Sequence, residues 1–170
     1  MIRPTDELTP FVREVVLPGL GLQTPALDAR HCAFALRLGA SPVHRWGVFA
    51  AEPIPARRFV IRYTGERISS REAWRRRLRT HLYLFRTSAT RYVDGAIGGS
   101  GAEYINHSCE PNLVARVRRG QVRYVSLRRI AAGEELLVDY RVRGDVPRTA
   151  CRCGAPSCRG SLHLLDVAPA

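Results

Sequence analysis

Three cysteines, Cys151, Cys153 and Cys158, crowd together near the C-terminus, and the chain has only two others, Cys32 and Cys109. Structural zinc takes four tetrahedral ligands, so a claw of three thiolates is one donor short and would leave a reactive coordination position open. Cys109 is the candidate for the missing place. A bond from it to the later cluster would pin the tail of the chain against the segment that carries Asn106 and His107. A framework of disulfides fits less well, because Cys-x-Cys spacing is metal spacing and an odd count leaves one thiol over. That thiol is Cys32, read as a small buried or incidental hydrophobe. Zinc thiolates call for a reducing compartment.

The segment around Cys109 reads Tyr104-Ile105-Asn106-His107-Ser108-Cys109-Glu110-Pro111-Asn112. It is followed by Gly133-Glu134-Glu135-Leu136-Leu137-Val138-Asp139-Tyr140 and then by Cys-x-Cys-x-x-x-x-Cys-Arg-Gly-x-Leu over residues 151–162. In this order and spacing the three pieces resemble the SET-domain protein lysine methyltransferases with a post-SET zinc segment, over residues 33–163. The resemblance implies a mostly β SET-domain fold of several small sheets with a knot-like C-terminal crossing. It also implies one short basic helix and a C-terminal four-cysteine zinc segment. The division that follows is an N-terminal arm over 1–30, a SET domain over 31–143 with an insert at about 68–92, and a post-SET zinc segment and tail over 144–170.

At 170 residues, of which 45% are hydrophobic, the chain has the size of one domain with its own core. No stretch approaches the roughly 18 apolar residues of a membrane span, and residues 1–14 do not read as a signal peptide. A soluble protein is expected, cytoplasmic in a bacterium or nuclear in a eukaryote. All 27 basic residues are arginine, against 15 acidic ones, for a net charge of +12. The absence of lysine fits a GC-rich coding composition, or an enzyme that offers itself no lysine; either way no internal lysine can be automethylated. The charge favours acidic partners, nucleic acid or an acidic protein surface.

Prolines and glycines make residues 1–27 an extended or turn-rich arm. Strands are expected over residues 32–38, 47–50 and 59–63, with a turn at Gly39-Ala40-Ser41-Pro42. Ser69-Ser70-Arg71-Glu72 is a capping-box signature opening a helix to about residue 79 or 81, with Trp74 and Leu78 facing inward and arginines covering the rest. That helix is a solvated face, or a basic wall of the substrate groove contacting nucleic acid or an acidic surface. Further strands are expected over 82–85, 91–93 and 136–140, with a hairpin of 113–117 and 122–127 around Arg119-Gly120.

By resemblance, Tyr140 is the hydroxyl beside the transferring methyl and Tyr63, in Tyr63-Thr64-Gly65-Glu66, lines the lysine channel and hydrogen-bonds the amine. Trp46, Gly47, Tyr104, Asn106 and His107 bind S-adenosylmethionine, and Cys109, Cys151, Cys153 and Cys158 hold structural Zn2+. Arg45 stands where the family has a glycine, and either meets the cofactor carboxylate or faces solvent. Ser100 and Glu103 replace a family asparagine and arginine. The His107 imidazole is a buried support and no general base is assigned. Val138 takes a place often held by an aromatic residue, which implies a roomier pocket open to di- or trimethylation. The function implied is methyl transfer from S-adenosylmethionine to the lysine ε-amine of a protein substrate, such as a histone or another basic protein, with no membrane involved. The competing reading is an inactive zinc-stabilised basic module that binds nucleic acid or chromatin-like partners. A zinc hydrolase is disfavoured, because four thiolates close the coordination sphere.

Overall fold

A computed structural model of the chain describes residues 25–77, 83–142 and 148–164. Most of the expected arm, together with Leu78 and the end of the helix, lies outside the described residues. In chain order the elements are β1 (Leu36–Ala40), β2 (Trp46–Ala50), β3 (Phe59–Tyr63), β4 (Glu66–Ser69), α1 (Ser70–Arg77), β5 (Leu84–Arg86), β6 (Arg91–Asp94), β7 (Asn106–His107), β8 (Leu113–Arg118), β9 (Gln121–Ser126) and β10 (Leu137–Val138). They form three small sheets. β1 and β2 make an antiparallel pair, β4-β6-β5 a three-stranded sheet, and β3-β9-β8-β10-β7 the central sheet.

The central sheet explains the sequence pattern best. Along β9 exposed Gln121 and Arg123 alternate with buried Val122 and Tyr124, the period of two that puts one face on the core. β8 and β9 pair from Leu113 with Ser126 to Arg118 with Gln121. The two residues between them, Arg119 and Gly120, both have positive φ (51° and 71°), the requirement of a type I′ hairpin turn.

β10 lies between β7 and β8 and runs parallel to both. Residues 108–112 join those two neighbours, so this connection must pass over β10. The expected C-terminal crossing takes this form, though the strand is only two residues long instead of spanning 136–140. The connection is tied to the strand it crosses, the N–H groups of Ser108 and Asn112 donating to the carbonyls of Val138 and Leu137.

Two local expectations are corrected. Gly39 and Ala40 belong to β1, and the turn starts two residues later, with Ser41 N–H donating to the Arg45 carbonyl. The helix does begin at the expected cap, Ser69 Oγ accepting from Glu72 N–H at 3.2 Å. Yet Trp74 is 53% exposed and does not face inward; Ala73 is buried in its place. The reason lies in Arg76, whose guanidinium donates to Glu72, Glu66 and Asp94, the last being fully buried. That insertion turns the Ala73 and Arg76 side of the helix toward β4 and β6 and turns Trp74 away.

Candidate active site and metal centre

Asn106 and His107, the whole of β7, are both buried. The Asn106 Nδ2 group faces the Trp46 carbonyl at 2.8 Å, the Glu135 carboxylate at 2.9 Å and the His44 carbonyl at 3.2 Å. It thus ties the start of β2 to β7. Glu135 also accepts from the Ser41 hydroxyl at 2.8 Å. A Cβ on Gly47 would fall 2.4 Å from Glu135 Oε1, so the glycine is needed here to admit a carboxylate of the same chain. Sequence reasoning assigned no role to Glu135; its only signal was its place in the Gly-Glu-Glu turn.

The His107 ring connects two ends of the site. Its Nδ1 accepts from the backbone N–H of Tyr140 at 3.1 Å, and its Nε2 lies 3.5 Å from Cys109 Sγ. Burial lowers the histidine pKa, against the opposing pull of Asp139, so the ring is neutral at physiological pH. With Nδ1 accepting, the ring proton sits on Nε2 and points to the sulfur. The Tyr140 hydroxyl donates to the Ile105 carbonyl at 3.1 Å. The phenol is therefore held by the residue before Asn106, and its backbone by the residue after.

The tyrosines assemble around this point. Tyr63 packs edge-on against Tyr124 at 6.3 Å and tilted against Phe85 at 5.6 Å, while Tyr104 meets Tyr83 at 5.9 Å. The Tyr63 hydroxyl donates to the Tyr83 carbonyl. Burial pushes the phenol pKa values of Tyr63, Tyr104, Tyr124 and Tyr140 upward, so all four stay neutral at physiological pH. Sequence reasoning missed Tyr83 and Tyr124, which carry no local motif and reach the cluster from the residue before β5 and from β9.

The two substituted loop positions are satisfied within the protein. Ser100 Oγ donates to the Arg62 carbonyl at 2.6 Å. Glu103 accepts from Gly101 N–H at 2.9 Å, and burial pushes its carboxyl pKa up to about 7. A Cβ on Gly99 would come within 2.3 Å of that carboxylate and one on Gly95 within 2.6 Å of the Tyr63 hydroxyl, so both glycines make room for these groups.

At the metal side, Cys109 Sγ lies 3.9 Å from Cys151 Sγ and 4.0 Å from Cys158 Sγ, while Cys109 N–H donates to Cys153 Sγ at 3.5 Å. The four donors that all lie within 4.8 Å of one another are His107, Cys109, Cys151 and Cys153. The expectation of strictly four cysteines is corrected to that extent: histidine enters the cluster because β7 carries it two residues ahead of Cys109. Sulfur atoms on a zinc tetrahedron stand about 3.8 Å apart for Zn–S bonds of about 2.3 Å, so the thiol spacing suits that ion. Arg159 pairs with Asp139 at 2.7 Å, a second link between the cysteine segment and the end of β10.

A family model described as the SET domain matches residues 45–141, more than half of the chain. The chain belongs to the SET-domain family. Among curated proteins, this SET domain is 40% identical over 136 residues to a histone-lysine N-methyltransferase, H3 lysine-4 specific, of Eremothecium gossypii, covering 72% of this chain and 14% of that protein. The Saccharomyces cerevisiae protein of the same description is 40% identical over 137 residues, 72% of this chain and 13% of its own. Human histone-lysine N-methyltransferase SETD1A is 37% identical over 138 residues, 75% of this chain and 8% of its own. The SET domain thus spans only a small part of the relatives it matches. Among solved structures, a humanized mutant of the Chaetomium thermophilum Polycomb Repressive Complex 2 bound to the inhibitor GSK126 superposes with a TM-score of 0.59 at 38% identity. That match covers 64% of this chain and 15% of the other. Among the described residues no helix is long and apolar enough to cross a membrane.

Proposed function

We propose that this SET domain is a protein-lysine N-methyltransferase that moves a methyl group from S-adenosylmethionine to the ε-amine of a lysine in a histone-like protein. The observation that carries the proposal is Tyr140, a phenol fixed through Ile105 and His107 to the two sides of Asn106. A pure binding module has no need of that register. Relatives described as histone-lysine methyltransferases support the substrate class.

Bound S-adenosylmethionine supplies an electrophilic methyl on a sulfonium. The residues that would hold it are Trp46, Gly47, Tyr104, Asn106 and His107. The donor set fits an amino-acid end: the carbonyls of His44 and Trp46 converge there, and Asn106 Oδ1 makes no hydrogen bond among the described residues while its Nδ2 is engaged.

The chain's own task is to deliver a neutral amine in line. Free lysine is neutral in about one molecule in 2,500 at pH 7. The rings of Tyr63, Tyr83, Tyr104, Tyr124 and Tyr140 would attract the ammonium by their faces and, by excluding water, depress its pKa. Tyr63, its hydroxyl engaged on the Tyr83 carbonyl, braces the channel wall. The Tyr140 oxygen orients the amine, and alignment supplies the effective molarity. Val138, on β10, leaves room for higher methylation.

Zinc would be held by Cys109, Cys151, Cys153 and Cys158, with the His107 Nε2–H donating to the Cys109 thiolate instead of ligating. The tautomer is the reason: a nitrogen that carries the proton has no lone pair for the metal. Hydrogen bonds from the second shell to a ligand are a common way of orienting it.

The test is transfer of label from S-adenosylmethionine to core histones, comparing wild type with Tyr140→Phe and reading products by mass spectrometry. Transfer that falls about 100-fold in the variant with cofactor binding retained is the expected outcome, with di- and trimethyl products present. No transfer, together with no calorimetric binding of S-adenosylmethionine, would turn the reading to a binding module.

A further inference from the structure

β3, β8, β9 and the turn joining β8 to β9 contain no acidic residue. On the sheet face away from the tyrosines, Arg62 stands opposite Arg123, and Arg123 opposite Arg116. Three arginines therefore lie in one line across neighbouring strands, about 4.8 Å from strand to strand. Arg118 stands two residues beyond Arg116 on the same face, and Arg119 occupies the hairpin tip. Like charges directly opposite each other in a sheet are destabilising. Among the described residues no carboxylate pairs with them. The ion pairs of the described residues engage Arg30, Arg75, Arg76, Arg128 and Arg159, and none of these five. Arg62 is half-buried and its buried Nε has no acceptor. Arg123 lies with its guanidinium over the Phe59 ring at 4.3 Å, which holds it against the sheet.

The helix shows the contrast. Its Arg76 is enclosed by three carboxylates, and Arg75 lies 3.5 Å from Glu72. The basic density that the sequence places on α1 is partly neutralised there, while that of the sheet is not.

We infer that this arginine face of the central sheet is a docking surface for the phosphodiester backbone of a nucleic acid. Two features favour phosphate over an acidic protein surface. The row is regular, one arginine per neighbouring strand, suited to a continuous line of charge, which each strand of a duplex offers at about 3.4 Å intervals along its axis. Every member is arginine, whose planar fork binds phosphate oxygens in pairs. The tyrosine cluster occupies the opposite face of the same strands, so both faces can be used at once. The inference rests on the sheet alone and does not require methyl transfer.

The experiment is fluorescence anisotropy of the full chain with a short labelled DNA duplex over a range of salt concentrations. The hairpin variant is Arg116→Gln, Arg118→Gln and Arg123→Gln combined; the control with equal charge loss is Arg67→Gln, Arg71→Gln and Arg75→Gln. The hairpin variant is expected to lose at least about tenfold in affinity at physiological salt and to reduce the salt slope by about 2.7, whereas the control changes the slope little. Its melting temperature should stay equal or rise, because repulsion within the row is relieved. Equal losses in both variants would overturn the inference in favour of diffuse charge, as would an unchanged slope in the hairpin variant. Tight binding of polyglutamate but not of the duplex would assign the face to an acidic protein and overturn it as well. Should the triple variant fold poorly, Arg116→Glu at its exposed position must still weaken duplex binding more than Arg71→Glu; the reverse order overturns the inference.

Discussion

Glu103 sits among phenols at a position where resemblance had led us to expect arginine, and its carboxyl pKa is raised from 4.5 to about 7 by burial. A carboxyl whose folded pKa exceeds its unfolded value binds a proton more tightly when folded. Its contribution to stability is therefore complete below about pH 4.5 and is lost as pH rises through about 7. Chemical denaturation between those limits should show wild type losing up to about 3 kcal/mol relative to Glu103→Gln, which has no proton to release. Equal pH profiles would place the carboxyl in water. Residues with a motif around them, such as Asn106, His107 and Tyr140, were legible in the sequence because chemistry fixes their spacing. Glu135, Tyr83 and Tyr124 were not, since each reaches the site through contacts between segments distant in the chain. The reason for Gly47 was legible only in part: a close approach was expected, but the group that approaches is Glu135.

At the scale of elements, α1 is attached to its sheet by Arg76 more than by apolar packing. Asp94 on β6 is fully buried, and its carboxylate accepts from Arg76 at 2.6 Å and from the Ala96 N–H at 3.0 Å. Removing one member of a buried ion pair takes away the main compensation of the other charge, which costs up to about 3–5 kcal/mol. Arg76→Ala should accordingly lower stability by that order in denaturant titrations, while Arg75→Ala, at the surface, should cost under about 1 kcal/mol. Strand positions were largely legible, β3 to the residue and the β8-β9 hairpin within one residue at each end, because alternation and Gly punctuation act locally. The face of the helix was misjudged for a physical reason. Apolar periodicity nominated Trp74, but a carboxylate buried on another element outbid it for the inward position.

Across the described residues, the links that join the cysteine segment to the site include the thiol cluster, the pair of Arg159 with Asp139, and Glu110, which accepts from Ser157 at 2.6 Å. The metal is proposed to close the first of these. Exhaustive chelation should lower the melting temperature, and limited proteolysis should then cut within residues 148–164 before it cuts the central sheet. Cleavage in the sheet first would uncouple metal from segment. The order of strands was implied only through resemblance, since nothing in the composition of Leu137 and Val138 says which neighbours they will find. Among the described residues β7, which carries Asn106 and His107, is paired with β10 and with no other strand. A polypeptide that has emerged from the ribosome only as far as residue 130 already displays both residues and the His44 and Trp46 carbonyls that receive Asn106, but it lacks the strand that pairs with β7 and the Tyr140 backbone that His107 receives. Synthesis therefore delivers the pieces of this site out of order, and its assembly waits for a strand that must settle beneath a loop already made.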